Sequence, residues 1–218
     1  MVPAAADTDD AGDRNRPSGE GMAWDKLAAL APGDVCTRAL VDFDERSGRY
    51  IVSSFGRRFG VDCRTRKVRE ETAPNRNPLP LADELFNLSV LWYLLRAQDI
   101  PLSGKLVKPA NMAGGDIFWK GSHALPLKSL AERFGASPEE FISRAMLLAG
   151  RPESYGDAAA RFYPLPRVPV LLLLWAGDVE FPARAEIMFD STCVEQAPLD
   201  IIWSVAMMTI LLMLKAGD

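Results

Sequence analysis

The chain has 218 residues, of which 48% are hydrophobic and 25% charged, and its formal net charge is −4. A chain of this length can bury one substantial core, and so small a net charge creates no overall field that would attract nucleic acid or anionic lipid. The composition therefore favours a globular protein without a nucleic-acid partner, and any binding must come from local sites.

The cysteines and the amino terminus indicate where the protein works. Cys36, Cys63 and Cys193 are scattered, so no C-x-x-C pair is available for zinc or an iron–sulfur cluster. Scattered thiols in odd number are typical of a reducing compartment, which predicts a cytoplasmic protein. Residues 1–21 have acids at the front and no apolar segment. They predict a disordered polar tail before a single domain over residues 22–218.

The first part of the domain predicts a short helix and then an antiparallel meander. Met22–Leu30 has helical apolar spacing and is stopped by Pro32 and Gly33. Short strand-like runs separated by turns follow over residues 37–71. After a proline-rich linker, residues 81–98 carry two apolar stripes. This pattern predicts a helix in the middle of the fold.

The second half predicts helices and then a hairpin. A glycine-rich irregular stretch over residues 101–122, with a short strand at I-F-W, leads to a helix from Pro126 to Gly135. A capping box over residues 137–140 starts another helix that ends at Gly150. Residues 168–175 are uniformly apolar and predict a central strand buried on both faces. Residues 181–190 alternate, with Phe181 on the dry face, and Pro182 favours an outer position for this strand.

The length of the last apolar segment distinguishes a buried helix from a membrane span. Residues 201–214 are apolar nearly all round, but 14 helical residues reach only about 21 Å. A bilayer core needs about 30 Å, so we predict a buried helix and no membrane span, with a partner-facing helix as the alternative. Strands grouped at both ends predict an α+β fold, in which an antiparallel sheet built from the meander and the hairpin carries helices on one side.

His123 is the only histidine in the chain and precedes a predicted helix. The partial positive charge of a helix start disfavours imidazolium, so a neutral ring could serve as an axial metal ligand. The alternative is a loop histidine that bonds the backbone. Lys120 and Ser122 could cradle an anion beside it, and Phe118 and Trp119 could stack on a planar ligand or simply pack in the core.

Two charged clusters have functional and ordinary interpretations. Asp178, Glu180, Arg184 and Glu186 all lie at even-numbered positions, so along a strand they could point to one face. There the carboxylates could act as acid and base, or could form salt bridges with Arg184 and the meander. Six basic residues between positions 57 and 69 could follow a phosphate backbone, but a solvated strand face is favoured. No nucleophile motif occurs.

Several segments resemble the family named domain of unknown function 3786. They are L-P-L-A-D-E-L-F-N-L-S-V-L-W-Y-L-L, P-L-S-G-K-L-V, G-G-D-I-F-W-K-G-S-H-A-L-P-L-K-S-L-A-E-R-F-G and P-V-L-L-L-L-W-A-G-D-V-E-F-P-A-R-A-E-I-M-F-D, within residues 37–214. The family occurs mainly in anaerobic bacteria and archaea, and some relatives are joined to iron–sulfur segments. The resemblance implies work beside anaerobic redox or one-carbon metabolism. Where the family usually has a further acid, this chain has Ala176, which argues against a full acidic cluster there.

Three function hypotheses follow. The first is a non-catalytic module that binds a planar or anionic small molecule, in its sharpest form a corrinoid or another tetrapyrrole such as haem, with His123 as the metal ligand. The second is an accessory or assembly protein that binds another polypeptide through the terminal helix and the hairpin. The third is an acid–base enzyme built on Asp178 and Glu180. The binding residues expected by the first hypothesis are Trp92, Phe118, Trp119, Lys120, Ser122 and His123.

Overall fold

The computed structural model of the chain describes residues 19–71, 83–118 and 124–215. Helices and antiparallel strands follow one another in groups along these residues. The helices are α1 (Gly19–Ala28), α2 (Pro32–Ala39), α3 (Asp83–Arg96), α4 (Leu127–Phe134), α5 (Pro138–Leu147), α6 (Cys193–Gln196) and α7 (Leu199–Leu214). The strands are β1 (Asp42–Asp44), β2 (Arg49–Ser54), β3 (Arg57–Asp62), β4 (Lys67–Glu70), β5 (Leu106–Val107), β6 (Arg151–Pro152), β7 (Ala158–Leu165), β8 (Val168–Trp175) and β9 (Arg184–Asp190).

The predicted meander is confirmed. Strands β1 to β4 form an antiparallel sheet in chain order. Val52 pairs with Phe59, and Tyr50 pairs with Val61. All four side chains are buried in the main core, because alternation along each strand sends them to one face of the sheet. The opposite face of the sheet carries most of the charged side chains of these four strands.

The predicted central strand is confirmed in β8, which is buried from Val168 to Leu174. It lies in the middle of a second antiparallel sheet with the order β5-β9-β8-β7-β6. Strand β9 is not an outer strand, since β5 pairs with its carboxyl end, and Pro182 precedes the strand instead of lying in it. Strand β7 was not predicted, because its alanines and Pro164 are poor strand signals. Packing in the core outweighs that weak local preference.

The meander and the hairpin belong to two separate sheets rather than one continuous sheet. The backbone N–H of Phe55 donates to the carbonyl of Tyr163 at 3.0 Å across the gap between them. Phe55 lies in the β2–β3 turn at a φ of 48°, so its backbone is not extended and cannot continue a ladder there. The α+β class, with an antiparallel meander and a hairpin, is as predicted.

The helices pack on one side of the five-stranded sheet, as predicted. Val170, Leu172 and Leu174 of β8 face the main core together with residues from the helices. Leu171 and Leu173 face the other way, where they cluster with strand residues such as Ala159. This second face is covered by its own side chains and not by a helix among the described residues.

Helix α7 is buried along most of its length, which confirms the predicted buried helix. Ile202, Val205 and Ile210 have no exposed surface. Leu211 is the most exposed of its large apolar side chains. Within the described parts of the chain, no helix combines the length and the apolar character that crossing a bilayer requires.

Several boundaries differ from the predictions. Helix α1 begins at Gly19, inside the stretch expected to be a disordered tail, and residues 1–18 lie outside the described residues. Helix α5 starts after Ser137 as expected, but the Ser137 side chain makes no capping hydrogen bond to any described residue. The helix ends at Leu147 and not at Gly150, because Ala149 adopts a left-handed φ of 55°. The I-F-W strand is instead a 3₁₀ turn over Gly115–Phe118.

Candidate functional site

The loop that carried the sharpest sequence prediction is only partly described. Trp119, Lys120, Ser122 and His123 lie outside the described residues, so the roles assigned to them stay predictions. The residues on either side are held together, since the backbone N–H of Leu125 donates to the carbonyl of Phe118 at 3.1 Å. The start of this loop is therefore fixed to the segment that enters α4.

Phe118 belongs to the core. It has no exposed surface, and its ring meets that of Phe189 edge to face, with 5.9 Å between the centroids. The chain reaches this position through a tight path at Gly115, where a Cβ would lie 1.8 Å from the carbonyl oxygen of Pro109. Of the two interpretations of Phe118, core packing is the one that agrees with this burial.

Trp92 is the expected binding residue that borders a groove. The groove has a volume of about 620 Å³ and lies between the start of α1, the middle of α3 and the start of α7. Trp92 is partly exposed at its wall. The residues that line the groove are Gly19, Glu20, Leu88, Trp92, Pro198 and Asp200.

Contacts within the three helices set the shape of this groove. Next to Trp92, Tyr93 turns into the core and donates from its hydroxyl to the carbonyl of Ala39 at 2.6 Å, which fixes the rotation of α3. Burial raises the pKa of the Tyr93 hydroxyl, so it remains a donor. On the rim, the Trp24 indole N–H donates to Glu20 Oε1 at 3.2 Å. Asp200 lies in the first turn of α7, where a carboxylate is favoured by the helix dipole.

The groove combines an aromatic wall with two carboxyl groups. Leu88, Trp92 and Pro198 supply apolar surface, and Glu20 and Asp200 supply acceptors. Such a lining suits a planar ligand whose edge carries N–H or O–H donors, and it disfavours ligands rich in carboxylates. Sequence reasoning missed Glu20, which lay in the supposed tail, and Asp200, which lies just before the predicted helix. An acid within the first turn was the available signal for Asp200.

Asp178 and Glu186 of the hairpin are engaged in separate contacts. Asp178 Oδ1 accepts the backbone N–H groups of Glu180 and Phe181 at 2.8 and 2.7 Å, so it closes a turn. Glu186 is paired with Lys108 at 2.7 Å and with Arg184 at 3.6 Å. The salt-bridge interpretation therefore applies to Glu186, but its second partner is Lys108 and not the meander.

The tip of the hairpin exposes apolar side chains. Val179 is fully exposed, and 67% of the Phe181 surface is accessible. Phe181 was predicted on the dry face, but β9 begins only at Arg184, so Phe181 belongs to the turn that Asp178 closes. An ordered turn with two exposed apolar side chains is a surface that a protein partner could cover.

Half of the basic run of the meander is paired with acids in the described residues. Arg57 meets Glu70 at 2.7 Å, and Arg58 meets Glu71 at 3.3 Å. Arg66 reaches back to α1, where its guanidinium lies 2.6 Å from the Asp25 carboxylate. These pairs agree with the expected solvated strand face more closely than with a continuous basic track.

The cysteines offer no activated thiolate. All three are free. Burial raises the pKa of the Cys193 thiol to about 12. Burial also raises the pKa values of the Cys36 and Cys63 thiols above that of an ordinary cysteine. Within residues 19–71, 83–118 and 124–215, no group of three histidine, cysteine, aspartate or glutamate side chains is arranged to hold a metal ion. Among the residues expected to bind a ligand, Trp92 is the one that borders a groove in the described residues, so this groove is taken as the candidate site.

Comparisons with known proteins give one match. No curated protein and no solved structure matches the chain. The model of the DUF3786 family, described as a domain of unknown function, matches residues 31–211, which include α3, the hairpin and most of α7. The chain therefore belongs to the DUF3786 family.

Proposed function

We propose that this protein is a non-catalytic binding module that holds a planar small molecule against Trp92. The groove between α1, α3 and α7 carries the proposal, because it places a partly exposed indole beside apolar and acceptor groups. Its volume of about 620 Å³ lies within the range of small-molecule sites. Stacking on the Trp92 indole gives affinity for any flat ring, and hydrogen bonds to Glu20 and Asp200 at the rim select among such ligands.

The acids on the rim narrow the class of ligand. Glu20 and Asp200 would repel the propionate groups of haem, whereas the amide groups at the edge of a corrinoid can donate to them. Among tetrapyrroles a corrinoid is thus the better fit. In this proposal His123 would hold the metal through its ring nitrogen, and Trp119, Lys120 and Ser122 would contribute from the same loop. A bound corrinoid would bring cobalt chemistry, while the protein's part is to orient the ring and restrict access to it.

Absorption and fluorescence titrations with hydroxocobalamin under anaerobic conditions test this proposal. We expect Trp92→Ala to weaken binding by about tenfold, because a stacked aromatic contributes roughly 1–3 kcal/mol. Trp175→Ala is the matched control, since Trp175 is also partly exposed but lies on the outer face of the five-stranded sheet. His123→Ala should shift the cobalt absorption bands without abolishing binding. Equal loss in both tryptophan variants, or no binding by the unaltered protein, would contradict the proposal.

A second candidate function is favoured by the hairpin tip. We propose it as the alternative: an accessory protein that docks another polypeptide on Val179 and Phe181, both exposed on an ordered turn. Helix α7 contributes little to such a surface, because most of its side chains are buried.

Site-specific photo-crosslinking in the native cell tests the alternative. A photoreactive residue at position 179 should capture one defined partner. The control position is Met146, which is 62% exposed on α5. The same products from both positions, or none from position 179, would count against a partner at the hairpin tip.

A further inference from the structure

The outward face of the meander contains a small depression above Gly60. Its volume is about 190 Å³. Gly60 lies in the middle of β3, and a Cβ there would meet its nearest neighbours, Arg49 Cδ and Glu71 Oε1, only at 3.6 Å. The residues that line the depression are Arg49, Gly60, Asp62, Arg64, Thr65, Lys67 and Arg69.

Strand register brings these side chains together. Gly60 pairs with Arg69, and Asp62 pairs with Lys67. Because side chains alternate along a strand, Lys67 and Arg69 of β4 share a face with Gly60, and Arg69 lies directly beside the position where β3 has no side chain. Glycine in a strand interior often marks a place where a ligand approaches the backbone.

The depression has an excess of positive charge. Arg49, Arg64, Lys67 and Arg69 line it together with one acid, Asp62, and a second acid, Glu71, reaches its edge. The Asp62 carboxylate is already engaged, since its Oδ1 accepts the backbone N–H groups of Arg64 and Thr65 at 2.9 and 3.1 Å, and its Oδ2 lies 3.5 Å from Arg49 Nε. In a protein of net charge −4, this is a local reversal of sign.

The surrounding charges keep the positive region small. Arg58 is neutralised by Glu71 on the same face, and Arg66 is neutralised by Asp25. In contrast, Arg64, Lys67 and Arg69 have no ion-pair partner within the described part of the chain. A nucleic-acid strand needs cations spaced along its backbone. A compact group bordered by acids instead suits one small anion.

We propose that the depression above Gly60 binds the phosphate group of a small molecule. Guanidinium groups match the geometry of phosphate oxygens, and Lys67 and the Thr65 hydroxyl can add further donors. Asp62 acts as a positioning residue, because it fixes the turn that presents Arg64 and Thr65 and holds Arg49 at the edge. The site is separate from the Trp92 groove and stands without it.

Calorimetric titration at low ionic strength tests the proposal with inorganic phosphate and with ribose 5-phosphate as probes. We expect Arg69→Gln to weaken binding by about tenfold, as loss of a charge-assisted contact does. Arg66→Gln removes the same charge from the same meander, but Arg66 pairs with Asp25 of α1 and lies outside the depression, and we expect a change of less than about twofold. Equal losses in the two variants would show a diffuse field and overturn the proposal. Tighter binding of ribose 5-phosphate than of inorganic phosphate identifies a phosphate ester as the ligand, and equal binding identifies the free ion.

A second variant removes the space and leaves every charge in place. Gly60→Val suits a strand and should abolish phosphate binding without lowering the thermal midpoint. Retained binding in this variant would overturn the proposal. The proposal would also be overturned if single-stranded oligonucleotides bound more tightly with increasing length. That result would mean that the basic residues form an extended nucleic-acid surface and not a pocket for one phosphate group. Trp92→Ala should leave phosphate binding unchanged, so the two proposals can fail independently.

Discussion

Asp62 and Asp190 end strands in the two sheets and differ in what they hold together. Asp62 is the last residue of β3, and it accepts backbone N–H groups from Arg64 and Thr65, two and three residues later. Asp190 is the last residue of β9 and accepts from Thr192, but it also accepts from Ser103 and Gly104, which are 87 and 86 residues away in sequence. The same local turn is thus used once for a hairpin and once to attach a distant loop.

The two carboxyl groups also differ in how their pKa is lowered. Burial alone would raise the pKa of Asp190, but hydrogen bonds from Thr192 and Ser103 together outweigh it and bring the pKa below its ordinary value. For Asp62 the largest contribution is the backbone hydrogen bond from Thr65, which lowers the pKa directly. Both carboxylates are buried, but Asp190 depends on donors from two separate segments of the chain, so Asp190 is the more sensitive of the two.

Removal of the Asp190 carboxylate should give the largest effect. We expect Asp190→Ala to lower the free energy of unfolding by about 4 kcal/mol, because Ser103, Gly104 and Thr192 would lose the buried carboxylate that accepts from their N–H groups and attaches the distant loop. Urea unfolding followed by circular dichroism measures it. Asp62→Ala is the matched control, and we expect a loss of about 1 kcal/mol, since its backbone donors, Arg64 and Thr65, lie two and three residues away in the same hairpin and attach no distant segment. Similar losses in both variants would remove the distinction between the two aspartates.

Acid should destabilise the protein through the same carboxylate. The pKa of Asp190 is lower in the folded state than the unfolded value of about 3.9. Its contribution is therefore fully present above the unfolded pKa and is lost as pH falls through 4 towards the lower folded pKa. Asp190→Asn should flatten this loss when the free energy of unfolding is measured between pH 6 and pH 2. Asp62→Asn should flatten it less, and an unchanged slope in Asp190→Asn would contradict the assignment.

The contrast also shows what the sequence could predict. The turn after Asp62 and the strands beside it follow from local pattern, as do α4, α5 and the apolar β8. No local signal indicated that Asp190 would reach Ser103, because that contact depends on how β5 and β9 pair. The division into two sheets was missed for the same reason, whereas β7 was missed because its alanines and Pro164 are weak strand signals.

The candidate site was predicted in part. Trp92 was named from its place on a helix with two apolar stripes, and it does line a groove. Its partners Glu20 and Asp200 come from the two ends of the chain, and only the packing of α1 and α7 against α3 brings them to it. Phe118 was named from its neighbours in a loop, where sequence alone could not separate a ligand wall from the core.

The two threonines beside the aspartates give a smaller test of the comparison. Thr192 Oγ1 donates to Asp190 Oδ1 at 2.7 Å, and the Thr65 side chain also hydrogen-bonds Asp62. We expect Thr192→Val to lower the free energy of unfolding by about 1.5 kcal/mol, as loss of a hydrogen bond to a charged group does. Thr65 is exposed, so Thr65→Val should cost less than about 0.5 kcal/mol. Equal costs would mean that burial does not decide the strength of these contacts.

The glycines near the two aspartates should show the smallest effects, with opposite signs. Gly104, whose N–H donates to Asp190 Oδ2 at 2.7 Å, has a φ of +74° and open space around its Cα. Gly104→Ala should therefore cost about 1 kcal/mol from backbone strain alone. Gly60 has no positive φ, and an added Cβ would make only ordinary contacts at 3.6 Å. Gly60→Ala should stabilise the protein by about 0.5 kcal/mol, because it reduces the freedom of the unfolded chain. If thermal unfolding instead shows that Gly60→Ala is destabilising, the space above Gly60 is filled by its neighbours and is not open to a ligand.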